Sequence, residues 1–173
     1  MTTERFGVVK FRGQDVTVIG KDLKPGDMAP EFTVQTLDWA PFNGLENTQG
    51  KVRIISALLS LETDVCDRET RRFNQEAAAL SKDIIILAIS TDLPYTQKRW
   101  CGGAGVDQVT VLSDHMGTDF GLKFACLIKE ARILRRAIFV VDRAGKLTYA
   151  AYMSALGDEP NYSEVLAAAK AAL

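Results

Sequence analysis

Two short runs of apolar residues predict strands that are buried on both faces of a sheet. They span residues 52–58 and 84–90 and consist mostly of Val, Ile, Leu and Ala. Between them, Cys66, Phe73 and Leu80 recur at helical spacing, with charged residues at many of the other positions. A buried strand, an amphipathic helix and a second buried strand favour a mostly parallel or mixed sheet that is covered by helices.

The rest of the pattern predicts further elements of the same kind of domain. Residues 6–11 and 16–19 flank the segment Arg12-Gly13-Gln14-Asp15, in which Gly13 supplies turn freedom, and predict an N-terminal β-hairpin. Further strands are predicted at residues 31–36, 109–112, 137–141 and 147–153, and helices at residues 94–100 and 162–173. This order of elements predicts an α/β fold of thioredoxin-like architecture, in which helices flank a central mixed sheet.

The predicted helix at residues 94–100 carries clear signals at both ends. Asp92 lies near the expected N-cap, and Pro94 suits the first helical turn. Three glycines, Gly102, Gly103 and Gly105, follow closely and are expected to end the helix.

The length and composition indicate one globular domain. A chain of 173 residues fits a single domain, with residues 1–20 as a β-hairpin extension and residues 21–173 as the thioredoxin-like domain. Apolar residues make up 47% of the chain and the formal net charge is −1, which argues against disorder and against nucleic acid as a partner. No apolar run approaches the roughly 20 residues of a membrane span, and no signal peptide is apparent. We therefore expect a cytoplasmic protein without a membrane partner.

Any chemistry is expected to come from cysteine. Cys66, Cys101 and Cys126 are odd in number and far apart, which fits neither a disulfide scaffold nor a zinc site. His115 is the one histidine, and the glycine-rich phosphate-binding motifs are absent. The sequence therefore predicts no metal and no cofactor.

Cys66 lies where a helix N-terminus would activate it. If Thr63 is the N-cap, Cys66 is the third helical residue, and the unpaired N–H groups and the helix dipole favour its thiolate. The same spacing is expected to bring the Thr63 hydroxyl close to the sulfur. Charged neighbours act in both directions, with Arg68, Arg71 and Arg72 against Glu62, Asp64, Asp67 and Glu69. A buried, inert cysteine is the alternative interpretation of the spacing.

Five motifs occur in the order found in one known family. The segment TDVC at residues 63–66, followed by RRFN at 71–74, resembles the TxxC active-site helix of peroxiredoxins, and specifically of the bacterial thiol peroxidase family. The segment DLPYTQKRWCG at residues 92–102 is similar to that family's DLPFAQxR[FW]CG motif. The N-terminal FxGxxV pattern at residues 11–16, RAIFVVD at 136–142 and EPNY at 159–162 extend the resemblance over nearly the whole chain.

The resemblance implies a mechanism and a role for four residues. It implies that Cys66 is the peroxidatic cysteine and that Cys101 is the resolving cysteine, which forms an intramolecular disulfide with it. It also implies that Thr63 and Arg136 stabilise the reacting sulfur and the peroxide oxygen, and that the family's thioredoxin reductant and homodimer apply here. Taken singly, Cys101, Arg136 and Thr63 would also fit purely structural roles.

Three further residues receive no catalytic role. Cys126 has no counterpart in the resemblance and is interpreted as a buried hydrophobic residue, and His115 as a surface or loop residue. Arg135 is outside the motif register, so a structural role is preferred for it.

One departure from the family pattern keeps a second function open. The peroxiredoxin motif reads PxxxTxxC, and Leu59 occupies the position of the proline. The leading hypothesis is an enzyme that reduces hydrogen peroxide and organic hydroperoxides. The alternative is a redox sensor or holdase-like binding protein that uses the Cys66 and Cys101 switch with little turnover. A thiol–disulfide oxidoreductase is disfavoured because the chain has no CxxC motif.

Overall fold

Two sheets and four α-helices organise residues 2–173, which the computed structural model describes. The strands are β1 (Glu4–Phe11), β2 (Gln14–Ile19), β3 (Thr33–Gln35), β4 (Pro41–Asn43), β5 (Val52–Ala57), β6 (Ile84–Ser90), β7 (Thr110–Ser113), β8 (Leu127–Ile128), β9 (Ile133–Leu134), β10 (Ala137–Val141) and β11 (Leu147–Tyr152). The helices are α1 (Asp64–Ala77), α2 (Pro94–Ala104), α3 (Asp119–Lys123) and α4 (Tyr162–Ala171), together with a 3-10 turn at Glu46–Thr48.

The central sheet is mixed, as the apolar runs predict. Its strand order is β11-β10-β5-β6-β7-β3-β4. Strands β5, β6 and β7 are parallel, whereas β10 pairs antiparallel with β5 on one side and β3 antiparallel with β7 on the other. Every residue of β5 is buried, which explains why its sequence lacks an alternation of polar and apolar positions.

Each face of the central sheet supports its own hydrophobic cluster. Successive strand residues point to opposite faces, so Ile54 packs with Phe73 of α1, and Ile55 packs with Phe139 on the other face. Helices α1, α2 and α4 contribute to the first cluster, and α3 contributes to the second. No helix within residues 2–173 is long and apolar enough to cross a membrane.

The N-terminal hairpin belongs to a second, four-stranded sheet of order β1-β2-β8-β9. Arg12 and Gly13 at its tip both have positive φ, +51° and +79°, which matches the two-residue turn that follows the twist of paired strands. Val18 of β2 pairs with Ile128 of β8 and is fully buried. The hairpin thereby contributes side chains to the interior.

The structure corrects several predicted boundaries. Helix α2 continues through Gly102 and Gly103 and ends at Gly105, where φ is +65°. The two earlier glycines keep helical geometry, at a cost of about 1 kcal/mol each relative to alanine, because the left-handed cap is formed only at the third. The N-cap is Leu93, directly after Asp92, which agrees with the expected position of Asp92 near the cap. Strand β3 is shorter than the predicted segment 31–36, and β4, α3, β8 and β9 were not predicted.

Candidate active site

Cys66 lies fully buried in the first turn of α1. Thr63 is the N-cap, with extended backbone angles of −95° and 143°, so Cys66 is the third helical residue as predicted. The Thr63 hydroxyl donates to the carbonyl of Ser60 at 2.9 Å and not to the Cys66 sulfur, which corrects the expected contact. The Thr63 N–H also donates to the Ser60 carbonyl, at 3.1 Å, so both hydrogen bonds close the turn from Ser60 to Thr63.

Arg136 donates a hydrogen bond to the sulfur of Cys66. It directly precedes β10, and its Nη2 lies 3.2 Å from the Cys66 Sγ. Nη1 of the same guanidinium donates to Glu69 Oε2 at 2.6 Å, and the remaining donors reach the carbonyl of Leu156. Both Arg136 and Glu69 are almost completely buried. The predicted contact between Arg136 and the cysteine is therefore present.

Glu69 is a site residue that the sequence analysis missed. It accepts a hydrogen bond from Ser56 Oγ at 2.6 Å on one oxygen and pairs with Arg136 on the other. Its position three residues after Cys66, on the buried face of α1, was the available signal. Glu69 was expected to oppose thiolate formation as a negative charge, but the ion pair with Arg136 offsets that charge.

The buried charges of the site shift one another's pKa values. Burial raises the pKa of Glu69, and the charge of Arg136 partly reverses this shift. Burial lowers the pKa of Arg136, but the negative charges of Cys66 and Glu69 raise it by more, so that pKa lies above its usual value. Arg136 is therefore a permanent cation next to a sulfur that needs one when it becomes a thiolate.

A pocket of about 270 Å³ opens beside this cluster. It is lined by residues that flank Cys66 or contact its sulfur, namely Thr63, Val65 and Arg136, and by the apolar side chains of Phe11, Leu59 and Leu156. Leu59 is half-buried and packs against the cluster that contains Cys66. The leucine thus shields the site from solvent, a role that the usual proline would share.

Asp92 fixes the loop that leads into α1. Its carboxylate accepts hydrogen bonds from Ser60 Oγ at 2.7 Å, from the Leu61 N–H at 2.8 Å and from Ser90 Oγ at 2.8 Å. Since Asp92 precedes the helix with Cys101, these bonds tie the two cysteine-bearing segments together at one end.

Cys101 is present near the site but is not bonded to Cys66. Both thiols are free, and Cys101 is half-buried in α2. Burial raises the pKa of Cys101. Its side chain lines a different pocket of about 350 Å³, together with Leu37 and Val106. A disulfide with Cys66 therefore requires a change of conformation.

The remaining singled-out residues lie away from Cys66. Cys126 is fully buried in the second hydrophobic cluster, as predicted, and burial raises its pKa to about 12. Arg135 is buried on the same side of the sheet, where it donates to the Ala125 carbonyl, pairs with Asp22 and stacks 4.1 Å from the Tyr152 ring. These contacts agree with a structural role.

His115 occupies a loop, as predicted. Its Nδ1 lies 2.9 Å from Ser113 Oγ, and its ring packs edge-on against Trp39. Neither contact involves the residues around Cys66.

The comparisons with known proteins define the class to which this fold and site belong. The family model described as Redoxin matches residues 24–166, so the chain belongs to the Redoxin family. The chain is 48% identical to the thiol peroxidase of Bacillus subtilis over 94% of its own length and 96% of the relative. It is 48% identical to the thiol peroxidase of Oceanobacillus iheyensis over 91% and 95%, respectively.

Solved structures agree with the sequence relatives. A peroxiredoxin-like protein from Aquifex aeolicus superposes with a TM-score of 0.87 at 34% identity, covering 99% of both chains. The thiol peroxidase from Chromobacterium violaceum, at 24% identity and a TM-score of 0.79, shares the fold over 91% of both chains. The thioredoxin-like fold is confirmed, and the chain is an enzyme, a thiol-dependent peroxidase. The sensor or holdase alternative is not favoured.

Proposed function

We propose that Cys66 is the peroxidatic cysteine of this enzyme. The observation that carries the proposal is the 3.2 Å contact between Arg136 Nη2 and the Cys66 Sγ at the N-terminus of α1. The thiolate attacks one peroxide oxygen, so that an S–O bond forms and the O–O bond breaks. The other oxygen departs as an alcohol or water after taking up a proton, and Cys66 becomes a sulfenic acid.

Arg136 and Thr63 are proposed to serve this step from two sides. The guanidinium faces the sulfur and stabilises the negative charge as it moves from sulfur to the departing oxygen. Thr63 lines the pocket, and its hydroxyl oxygen can accept a hydrogen bond from a hydroperoxide while it donates to Ser60. The ion pair with Glu69 holds the guanidinium plane in place.

Cys101 is proposed to resolve the sulfenic acid. Its thiolate attacks the Cys66 sulfur, an intramolecular S–S bond forms, and hydroxide leaves and is protonated to water. A thioredoxin-type dithiol then reduces the disulfide by thiol–disulfide exchange. Both thiols are free, and Cys101 is only half-buried, which supports this cycle.

The proposed substrates are hydrogen peroxide and organic hydroperoxides. The pocket beside Arg136 has an apolar wall formed by Phe11, Leu59, Val65 and Leu156, which can pack against an organic group. The peroxide end would then lie next to the guanidinium and the Thr63 hydroxyl.

The chain is also proposed to act in the cytoplasm as a homodimer. Three free cysteines suit a reducing compartment. Large apolar side chains are exposed around the start of α2, where Trp39 packs on Tyr95 and Leu93 lies beside them. A second copy of the chain would cover this patch, and sedimentation velocity of the Tyr95→Glu variant tests it, since loss of the dimer is the expected result.

The catalytic assignment is tested in a coupled assay with thioredoxin, its reductase and cumene hydroperoxide. Cys66→Ser should abolish peroxide consumption, because it removes the nucleophile. Cys101→Ser should complete one turnover and then stop, whereas Cys126→Ser is the matched control that should retain turnover. Sustained turnover by Cys66→Ser would overturn the assignment.

A further inference from the structure

A polar stripe on α1 holds α2 in place. Asp67, Arg71 and Asn74 recur at intervals of four and three residues and therefore share one face of α1. Asp67 Oδ1 accepts a hydrogen bond from Trp100 Nε1 at 2.9 Å. Arg71 Nη1 donates to the Ala104 carbonyl at 3.2 Å, and its guanidinium lies 5.6 Å from the Trp100 ring centroid. We call Asp67, Arg71 and Asn74 the clamp.

The third member of the clamp extends these contacts beyond the end of α2. Asn74 Oδ1 accepts hydrogen bonds from the backbone N–H groups of Asp107 at 3.2 Å and Gln108 at 2.7 Å. Within α1, Asp67 and Arg71 also pair with each other at 2.9 Å. The clamp thus runs along the last turn of α2 and the segment after it.

The clamp determines which way the neighbouring cysteine faces. Trp100 and Ala104 are four residues apart, so both lie on the side of α2 that contacts α1. Cys101 is about 100° further around the helix. Its side chain lines the pocket formed with Leu37 and Val106. Cys101 can reach the sulfur of Cys66 only when this part of α2 rotates or unwinds, and that movement separates Trp100 from Asp67.

We propose that Asp67 and Trp100 are positioning residues that set the rate at which Cys101 is released to attack oxidised Cys66. This inference rests on the roles proposed for the two cysteines. The clamp favours the arrangement in which Cys66 reacts with peroxide, and it opposes the arrangement in which the disulfide forms. Neither residue touches the reacting sulfur in the structure, so both act through α2.

The sulfenic acid of Cys66 then has two competing fates. In the first, Cys101 attacks its sulfur, the S–S bond forms and water is released. In the second, a further hydroperoxide transfers one oxygen to the sulfenate, which becomes a sulfinate, while the hydroperoxide is reduced to an alcohol or water. Weakening the clamp should accelerate the first fate and leave the chemistry of the second unchanged.

The test compares variants of the full chain that lose the hydrogen bond between Trp100 and Asp67, and Asp67→Ala loses in addition its ion pair with Arg71. Trp100→Phe keeps an aromatic ring and removes the N–H donor. Asp67→Ala removes the carboxylate acceptor, which is partly exposed on the surface of α1. Glu76→Ala is the matched control, because it deletes the other i,i+4 ion pair of α1, and its partner Arg72 lies over the Tyr162 ring of α4. Each protein is treated with graded hydrogen peroxide, quenched, alkylated and analysed by mass spectrometry for disulfide and sulfinate.

The first oxidation of Cys66 is measured separately by competition for peroxide. For Trp100→Phe and Asp67→Ala, the peroxide concentration that gives equal disulfide and sulfinate should rise roughly five- to tenfold, equivalent to about 1–1.4 kcal/mol. For Trp100→Phe the rate constant of the first oxidation should stay within about twofold, since the site around Arg136 is unchanged, whereas Asp67→Ala removes a negative charge next to Cys66 and should keep or raise that rate constant. Glu76→Ala should alter neither quantity.

The possible results distinguish a failure of this inference from a failure of the roles proposed for Cys66 and Cys101. If the peroxide concentration that gives equal disulfide and sulfinate is unchanged or lower in both Trp100→Phe and Asp67→Ala, while Cys66 is still oxidised, the proposed role of Asp67 and Trp100 is wrong. The roles proposed for the two cysteines are not affected by that result. A natural protein in which Cys66 is never oxidised overturns the proposed function itself. If Trp100→Phe does not fold, Asp67→Ala alone decides, because its side chain is at the helix surface and its loss leaves the core intact.

Discussion

Replacing Arg136 by lysine tests the electrostatic core of the site. Arginine offers a planar fork whose donors reach Cys66 Sγ at 3.2 Å, Glu69 Oε2 at 2.6 Å and the Leu156 carbonyl at 3.2 Å and 3.3 Å. Lysine keeps the positive charge but has one nitrogen, which cannot occupy all these positions. The ammonium should remain with Glu69, because that pair is completely buried and leaving the carboxylate unpaired is costly.

The magnitude follows from the loss of one donor to the reacting atoms. Removing a single preorganised donor costs about 2–4 kcal/mol in the transition state, which lowers the rate constant of peroxidation roughly 30- to 900-fold. The global fold should survive, since a charge still faces Glu69. The rate therefore falls far more than the stability does.

Arg135→Lys is the matched control for this substitution. It changes the neighbouring buried arginine in the same way, and Arg135 contacts the Ala125 carbonyl and Asp22 but no atom of Cys66. We expect a loss of stability but a change of less than about threefold in the rate of peroxidation.

Stopped-flow tryptophan fluorescence provides the assay, with Trp100 next to Cys101 as the reporter. Chemical denaturation of both variants establishes that each is folded under the assay conditions. Equal losses of rate in the two variants would refute the argument, because they would mean that general disturbance of the fold, and not the fork at the sulfur, controls the reaction.

Three further predictions address other parts of the chain. Peroxide should link Cys66 to Cys101 and leave Cys126 free, because burial raises the pKa of Cys126 to about 12; peptide mapping after alkylation would reveal a bridge to Cys126 if this is wrong. Leu59→Pro should change the second-order rate constant of peroxide reduction tenfold or less, which corresponds to about 1.4 kcal/mol, because the Leu59 N–H donates to no protein acceptor within residues 2–173. An inactive natural protein that the substitution activates by orders of magnitude would contradict this prediction. Burial raises the pKa of Asp114 from 3.8 to about 7, so at intermediate pH the folded state holds a proton that the unfolded state has released. The free energy of unfolding should therefore fall as the pH rises from about 4 to 7, by up to about 4 kcal/mol. Parallel pH profiles of unfolding free energy for the natural protein and Asp114→Asn would refute this prediction.

Local patterns in the sequence were sufficient for the main strands and for the position of Cys66 at the start of its helix. The apolar runs that become β5 and β6 are buried on both faces, so their continuous hydrophobicity is a direct consequence of their place in the sheet. The N-cap at Thr63 and the third helical position of Cys66 follow from residues only three apart. Such features depend on short-range periodicity and capping, which the sequence displays directly.

Weaker local signals explain the elements that the pattern missed. Strands β8 and β9 have two residues each and α3 has five, which is too short for a hydrophobic period to develop. Helix α2 passes through Gly102 and Gly103, because only Gly105 adopts the left-handed conformation that ends it.

The tertiary structure alone decided what surrounds the sulfur. Arg136 and Glu69 are 67 residues apart in the chain and meet because β10 pairs antiparallel with β5, which is the strand that leads into α1. The contact of Asp67 with Trp100 likewise depends on how α2 packs against α1. The sequence determined which residue types and motifs are present, whereas long-range strand pairing and helix packing determined which of them share a buried, low-dielectric site, where each ion pair and hydrogen bond is strong enough to direct the chemistry of Cys66.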